Sequence, residues 1–225
     1  MIFPPLLFFL MVAFFILALI LFPLLWLQAI GTAFNKLGLD PYFMVWLIIC
    51  TLLGSLVNIP LYSVKTEEQM GETVVSYYGM RFQVPQAYHP ERTVVAVNVG
   101  GALIPVGLSI FLMTRMPFSP GLPLLLGLVI LVVYRLARPI KGLGIGVPGL
   151  VPPLVAALGA YIFFYHAPGM RAPSAYIATT LGVLIGGDLL NLKEIPRLGA
   201  PVASIGGAGT FDAIFLGGII AVLLS

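Results

Sequence analysis

Charged side chains are scarce in this sequence. Only 8% of its 225 residues are Asp, Glu, Lys or Arg, whereas soluble domains carry about 25%. Hydrophobic residues make up 60% of the chain. This composition excludes an ordinary soluble domain and predicts an integral membrane protein. We expect one transmembrane domain over residues 1–225, an all-α bundle of about seven helices, because each span needs roughly 20 apolar residues.

Cysteine and histidine are also scarce, with one Cys and two His. A single thiol, Cys50, excludes an intramolecular disulfide, and one thiol with two distant histidines does not form a zinc pattern. We therefore expect no metal and no cofactor. The net charge of +3 does not require a nucleic acid, because basic residues beside spans are ordinary topology signals. Membrane lipids are the expected partners.

The apolar residues fall into seven segments, which we expect to be membrane-spanning helices. They cover residues 2–30, 41–61, 94–113, 122–136, 151–165, 175–192 and 201–224. The first is too long for a signal-peptide core and has no basic n-region, so we expect it to be retained. The fourth and fifth are short, and a Gly- and Pro-rich stretch joins them. One of these two is therefore a candidate for a tilted, broken or re-entrant segment.

The polar loops predict a β-hairpin and the orientation of the protein in the membrane. In the polar stretch 62–93, β-branched and aromatic runs flank Gly79, which favours a small β-hairpin, with an irregular loop as the alternative. Eight Lys and Arg residues lie in the second, fourth and sixth loops, and three lie in the first, third and fifth. The positive-inside rule then places the even loops and the N-terminus in the cytoplasm, with the protein crossing the cell membrane several times.

Two of the three aspartates, Asp188 and Asp212, lie inside the last two apolar segments. A carboxylate at membrane depth is costly, so it usually faces protein or water and serves a function. A short charged turn joins these segments, which makes them antiparallel neighbours with both carboxylates at similar depth. Asn191 follows Asp188 on the same helical face and is expected to orient or hydrogen-bond its carboxylate. The pattern predicts a shared polar site.

Glycines precede Asp212 in the last segment. Gly206, Gly207 and Gly209 each weaken a helix by about 1 kcal/mol relative to Ala, so we expect the chain to be unwound there. Unwound backbone in a membrane helix binds ions, polar solutes or extended peptides. Gly207, Gly209 and Thr210, together with Asn191, are therefore candidate substrate-binding residues. The alternative is that the glycines only allow helices to pack closely.

Paired carboxylates admit more than one chemistry. In a low-dielectric site they share a proton, and an aspartyl protease uses this state: one carboxylate takes a proton from water while the other protonates the carbonyl oxygen. Our leading hypothesis is an intramembrane aspartyl hydrolase with Asp188 and Asp212 as catalytic residues and a membrane-buried peptide as substrate. The alternatives are a proton- or cation-coupled transporter or channel using the same pair, and a non-catalytic membrane scaffold.

Two families share motifs with this chain. Asp188 near the end of a sixth segment, followed by Gly207-Ala208-Gly209 and Asp212 early in a seventh, resembles the presenilin and signal-peptide-peptidase type of intramembrane aspartyl protease. That resemblance implies a catalytic role for both aspartates. The stretches VNIPLYS, VNVGGALIPVGLS, GVPGLVPPLVAAL, GGDLLNL and IGGAGTFDAIFLGGIIAVLL are similar to an uncharacterised prokaryotic family of multi-pass membrane proteins with a domain of unknown function. This second resemblance implies a location in the cytoplasmic membrane.

Overall fold

The computed structural model describes residues 5–66, 74–77, 80–83 and 91–225. The helices in these ranges are α1 (Pro5–Lys36), α2 (Pro41–Gly54), α3 (Ile104–Arg115), α4 (Gly121–Leu136), α5 (Val151–Phe163), α6 (Pro168–Val183) and α7 (Phe211–Leu224). The strands are β1 (Asn58–Lys65), β2 (Val74–Tyr77), β3 (Met80–Gln83), β4 (Arg92–Asn98), β5 (Arg138–Ile140), β6 (Gly144–Gly146) and β7 (Val202–Ile205). A π-helical segment, Val99–Leu103, precedes α3. A second one, Leu184–Asp188, continues α6 into a 3₁₀ helix, Leu189–Arg197.

The fold is mostly helical, and each of the seven predicted apolar segments contains one α-helix. Among the described residues, two helical stretches are long and apolar enough to cross a bilayer. They are Phe8–Lys36, with 29 residues, and Pro168–Arg197, with 30 residues. The other apolar helices have 10–17 residues. By length and composition, the described part of this helical protein therefore has two candidate membrane spans.

Three of the predicted helices are wrong over part of their length. Residues 58–61, 94–98 and 202–205 lie in strands β1, β4 and β7 instead. β-branched residues such as Val94, Val95 and Val97 fit a pleated strand. A short apolar run does not distinguish a buried strand from a buried helix by hydrophobicity alone. The all-α expectation is therefore corrected to a helical fold with small sheets.

The three strands that replace helix form one sheet with β4 in the centre. β1 runs antiparallel to β4, with Asn58 opposite Asn98. β7 runs parallel to β4, with Ile205 opposite Val97. β4 and β7 therefore end side by side, and each leads through a Gly-rich segment into a helix, α3 or α7.

The predicted hairpin within residues 62–93 is confirmed. β2 and β3 pair antiparallel, with Tyr77 opposite Met80. Gly79, where the turn was predicted, lies outside the described residues. The flanking ends of the same stretch are not loops, because β1 extends to Lys65 and β4 begins at Arg92.

Helix α6 lies at the centre of the helical core. Every residue from Ala172 to Thr180 is buried. Small residues let the neighbouring helices approach: a Cβ added to Gly182 would lie 2.5 Å from Val129 of α4, and one added to Gly218 would lie 2.8 Å from the Tyr176 ring. This central packing fixes the end of α6, from which the π-helical segment with Asp188 continues.

Helix α1 packs differently, because most of its length has no contact with the core. The apolar stretch of this helix is 0% buried. Its C-terminal end is held by Lys36, whose Nζ atom donates to the carbonyl oxygens of Val222, Leu223 and Ser225 at 3.3, 3.0 and 2.8 Å. A cation at these carbonyls is favourable because the C-terminal end of a helix carries partial negative charge.

Candidate functional site

Asp188 is buried, with 5% of its surface exposed. Its Oδ2 atom accepts two hydrogen bonds, from the Gly206 N–H at 2.7 Å and from the Thr210 hydroxyl at 3.1 Å. Both donors lie between β7 and α7. Because burying a carboxyl group without hydrogen bonds is costly, these two donors account for its position. One carboxyl group therefore joins the π-helical segment after α6 to the start of α7.

The interruption of α6 places Asp188 at this junction. Regular helix ends at Val183, and the π-helical segment Leu184–Asp188 follows; such π turns often mark functional sites. The Asn191 Nδ2 atom donates to the carbonyl oxygens of Gly186 and Gly187, each at 2.9 Å. Asn191 therefore holds the π turn in shape. The expectation that it hydrogen-bonds the Asp188 carboxylate is corrected, because its amide binds the preceding backbone.

The chain is unwound before Asp212, as its glycines predict. Gly206 has φ +73° and Gly209 has φ +101°, the left-handed region that glycine enters without steric cost. A Cβ added to Gly206 would lie 2.6 Å from the carbonyl carbon of Gly101, and one added to Gly209 would lie 2.6 Å from the carbonyl oxygen of Ile145. Both positions therefore need glycine for conformation and for space. The positive φ at Gly206 belongs to the turn that presents its N–H to Asp188.

Gly207 and Thr210 form the last turn before α7. The Gly207 carbonyl accepts hydrogen bonds from the N–H groups of Thr210 and Phe211 at 3.1 and 2.9 Å. Thr210 is 1% exposed, and its hydroxyl binds Asp188 rather than capping the helix. Thr210, a candidate substrate-binding residue from the sequence, therefore contacts the buried carboxyl group directly.

Asp212 lies in the first turn of α7 and is exposed. Within the part of the chain that the structure describes, its side chain has no hydrogen bond or ion pair. A carboxylate in the first turn of a helix is favourable, because the N-terminal end carries partial positive charge. The structure therefore brings Asp188 and Thr210 together and leaves Asp212 two residues further along, at the surface.

A cavity of about 20 Å³ lies beside Asp188. Its walls come from β6, β7 and the 3₁₀ helix, and they include Gly144, Leu192 and Ser204. One water molecule needs about 10–15 Å³ of such volume and polar partners. The cavity therefore has room for a water molecule next to the carboxyl group. Asp212 is not among its lining residues.

A polar cluster at the end of the three-stranded sheet adjoins this cavity, and its hydrogen bonds were not predicted from the sequence. The Asn58 Oδ1 atom accepts hydrogen bonds from the Ser204 hydroxyl and from Asn98 Nδ2. Asn98 Oδ1 in turn accepts from the Gly101 N–H at 2.7 Å. Ser204 and Asn58 are 146 positions apart in sequence, so only the pairing of β1, β4 and β7 reveals the contact. The Gly206 N–H donor was also missed, since a Gly-rich stretch indicates unwinding without showing which N–H points inward.

These features define a mostly helical protein with a buried carboxyl group where an interrupted helix meets an unwound turn. The chain belongs to the DUF1614 family, described as a protein of unknown function, which matches residues 52–224. This confirms the resemblance to a family with a domain of unknown function, and all five stretches that carried it lie in the matched range.

No curated protein and no solved structure matches the chain. In the described residues, no three His, Cys, Asp or Glu side chains are placed to hold a metal ion together.

Proposed function

We propose that this protein is an intramembrane aspartyl hydrolase that cleaves membrane-buried peptides with Asp188 and Asp212. The observation that carries the proposal is the pair of hydrogen bonds from Gly206 and Thr210 to Asp188. They fix the buried carboxyl group to the same short turn that leads into Asp212. Two acids on adjacent elements, with room for a water molecule beside one of them, are the components that acid–base hydrolysis needs.

A location in the cell membrane, with several crossings and a cytoplasmic N-terminus, is part of this proposal. Apolar side chains are exposed on α1, α2 and α5, among them Phe14 (73%), Trp46 (66%) and Ile162 (75%). Large contiguous apolar surfaces are rare on soluble monomers. The strands and π turns are compatible with membrane depth because irregular backbone is tolerated where protein surrounds it, as it does at Asp188 and Thr210.

Catalysis would follow the usual course for paired carboxyl groups. One carboxylate takes a proton from water as the water oxygen bonds to the peptide carbonyl carbon, and the other group gives its proton to the carbonyl oxygen. The carbon–nitrogen bond then breaks and the amine leaves with a proton. This chemistry requires Asp212 to approach the cavity. The positive-φ residues Gly206 and Gly209 bound the turn in which such a movement would occur.

A second candidate function is proton- or cation-coupled transport that depends on Asp188 alone. The observation in its favour is that Asp188 lines the cavity whereas Asp212 does not. Buried carboxyl groups in broken membrane helices serve as proton and ion sites. The two candidates differ in what they require of Asp212, because only the hydrolase needs it.

Photolabelling by a transition-state analogue of aspartyl proteases tests the proposal. The purified protein in detergent is compared with Asp188→Asn and Asp212→Asn, and Glu91→Gln serves as the matched control. Glu91 is an exposed acidic residue that lines neither this cavity nor any other described here. We expect labelling of the wild type and of Glu91→Gln, and loss of labelling in both other variants. Folded wild type that takes no label, or Asp212→Asn that labels normally, would contradict the hydrolase and direct attention to proton flux in liposomes.

A further inference from the structure

A second cavity, of about 260 Å³, lies where the α1–α2 loop meets the end of α3. It is lined by Gly38, Leu39, Asp40, Phe43, Phe111 and Arg115. A water molecule in the liquid occupies about 30 Å³, so this space holds a group much larger than a single water. Its lining combines one carboxylate and one guanidinium with aromatic and aliphatic walls.

Both charges in this cavity have unused binding capacity. Arg115 lies over the Phe111 ring, with the guanidinium carbon 4.8 Å from the ring centroid. No described carboxylate lies within salt-bridge distance of it. The Asp40 Oδ1 atom accepts from the Tyr42 N–H at 2.8 Å, and its other oxygen has no described partner. Asp40 and Arg115 therefore line one space without pairing, and a ligand with both a negative and a positive group would satisfy them together.

The position of the cavity indicates a lipid rather than a soluble ligand. Asp40 precedes the first residue of α2, and Arg115 is the last residue of α3. The ends of apolar helices lie at headgroup level in a membrane protein, where charged side chains reach the interface. Phe43 and Ile110 are 44% and 56% exposed, so α2 and α3 offer apolar surface for acyl chains.

We propose that this cavity binds the headgroup of a zwitterionic phospholipid that carries a primary ammonium. The phosphate lies on Arg115, because a guanidinium offers paired N–H donors to phosphate oxygens. The ammonium lies on the free oxygen of Asp40. This inference rests on the proposed membrane location and is independent of the proposed hydrolase.

Native mass spectrometry of the full-length protein in detergent tests the site. The protein is titrated with phosphatidylethanolamine, phosphatidylcholine and phosphatidylglycerol, with Arg115→Ala and Asp40→Asn as test variants. Arg135→Ala is the matched control, because Arg135 is an exposed arginine at the end of α4, outside the cavity. We expect phosphatidylethanolamine to bind about two- to fivefold better than the other two lipids, because Asp40 is exposed and exposed ion pairs are weak. Arg115→Ala should weaken binding of all three, and Asp40→Asn should remove the preference for the ammonium headgroup.

Two results would overturn the inference. One is equal binding of the three lipids to wild type and to both test variants. The other is displacement of the lipid by water-soluble phosphoethanolamine at millimolar concentration, which would assign the cavity to a soluble zwitterion. Asp40→Asn keeps its helix cap, so its loss of preference cannot be attributed to unfolding. Lipid binding and analogue labelling are separate measurements, so the failure of one leaves the other interpretable.

Discussion

Replacing Thr210 by valine isolates the hydrogen bond that joins α7 to the buried carboxyl group. Valine keeps the branched shape and removes only the hydroxyl, which lies 3.1 Å from Asp188 Oδ2. The threonine makes no side-chain cap bond to α7. Its hydroxyl also lies 3.4 Å from the carbonyl oxygen of Gly207, and the valine variant loses this longer contact as well. Removing a hydrogen-bond partner from a buried polar group costs about 1–3 kcal/mol. For a chain of this size that corresponds to a fall of about 2–12 °C in the midpoint of thermal unfolding.

Serine at the same position is the matched control for the valine variant. It keeps the hydroxyl and removes the methyl group, which would lie 3.5 Å from a Cβ placed on Gly187. Losing one buried methyl costs about 1 kcal/mol. Circular dichroism of the detergent-solubilised variants measures both effects. The reasoning is refuted if Thr210→Val unfolds at the wild-type temperature, or if Thr210→Ser is the less stable of the two.

Two further variants test the turn and the attachment of α1. Gly206→Ala should destabilise the protein more than Gly38→Ala in thermal unfolding. Both glycines have positive φ, which costs a non-glycine residue about 1–2 kcal/mol, but only at Gly206 would the new Cβ meet backbone, 2.6 Å from Gly101. Equal losses would contradict the close approach. Lys36→Ala should speed hydrogen exchange at the last turn of α7, because three carbonyl oxygens lose their cation. Unchanged exchange there would show that the contact does not hold the helix end.

The junction of the last two segments was largely predictable from sequence, because its residues carry strong local signals. An aspartate in an apolar run must find partners, and glycines before Asp212 weaken the helix. These signals predicted an unwound turn at a polar site shared by Asp188 and Asp212. Asp188, Gly206 and Thr210 form such a turn, whereas Asp212 is exposed. The donors themselves were not predictable, since backbone orientation depends on the positive φ of Gly206.

The three-stranded sheet was not predictable, because its strands are short, apolar and far apart in sequence. Val94 to Val97 reads equally well as part of a spanning helix. Only the tertiary contact with β1 and β7 makes it a strand. The hydrogen bond between Asn58 and Ser204 was not predictable for the same reason, since it depends on the pairing of these distant strands. The different exposure of the two aspartates also depends on tertiary structure, because both lie in apolar segments with glycines before them.

Cleavage of a membrane-spanning peptide in proteoliposomes tests the central claim most directly. The protein and the peptide are reconstituted together in ¹⁸O-labelled water, and the masses of the products are measured by mass spectrometry. If Asp188 and Asp212 activate water together, the wild type yields a new carboxyl terminus carrying one ¹⁸O atom, and Asp188→Asn and Asp212→Asn yield no product. Intact peptide with folded wild-type protein, or cleavage that persists in Asp212→Asn, would contradict the paired-aspartate account.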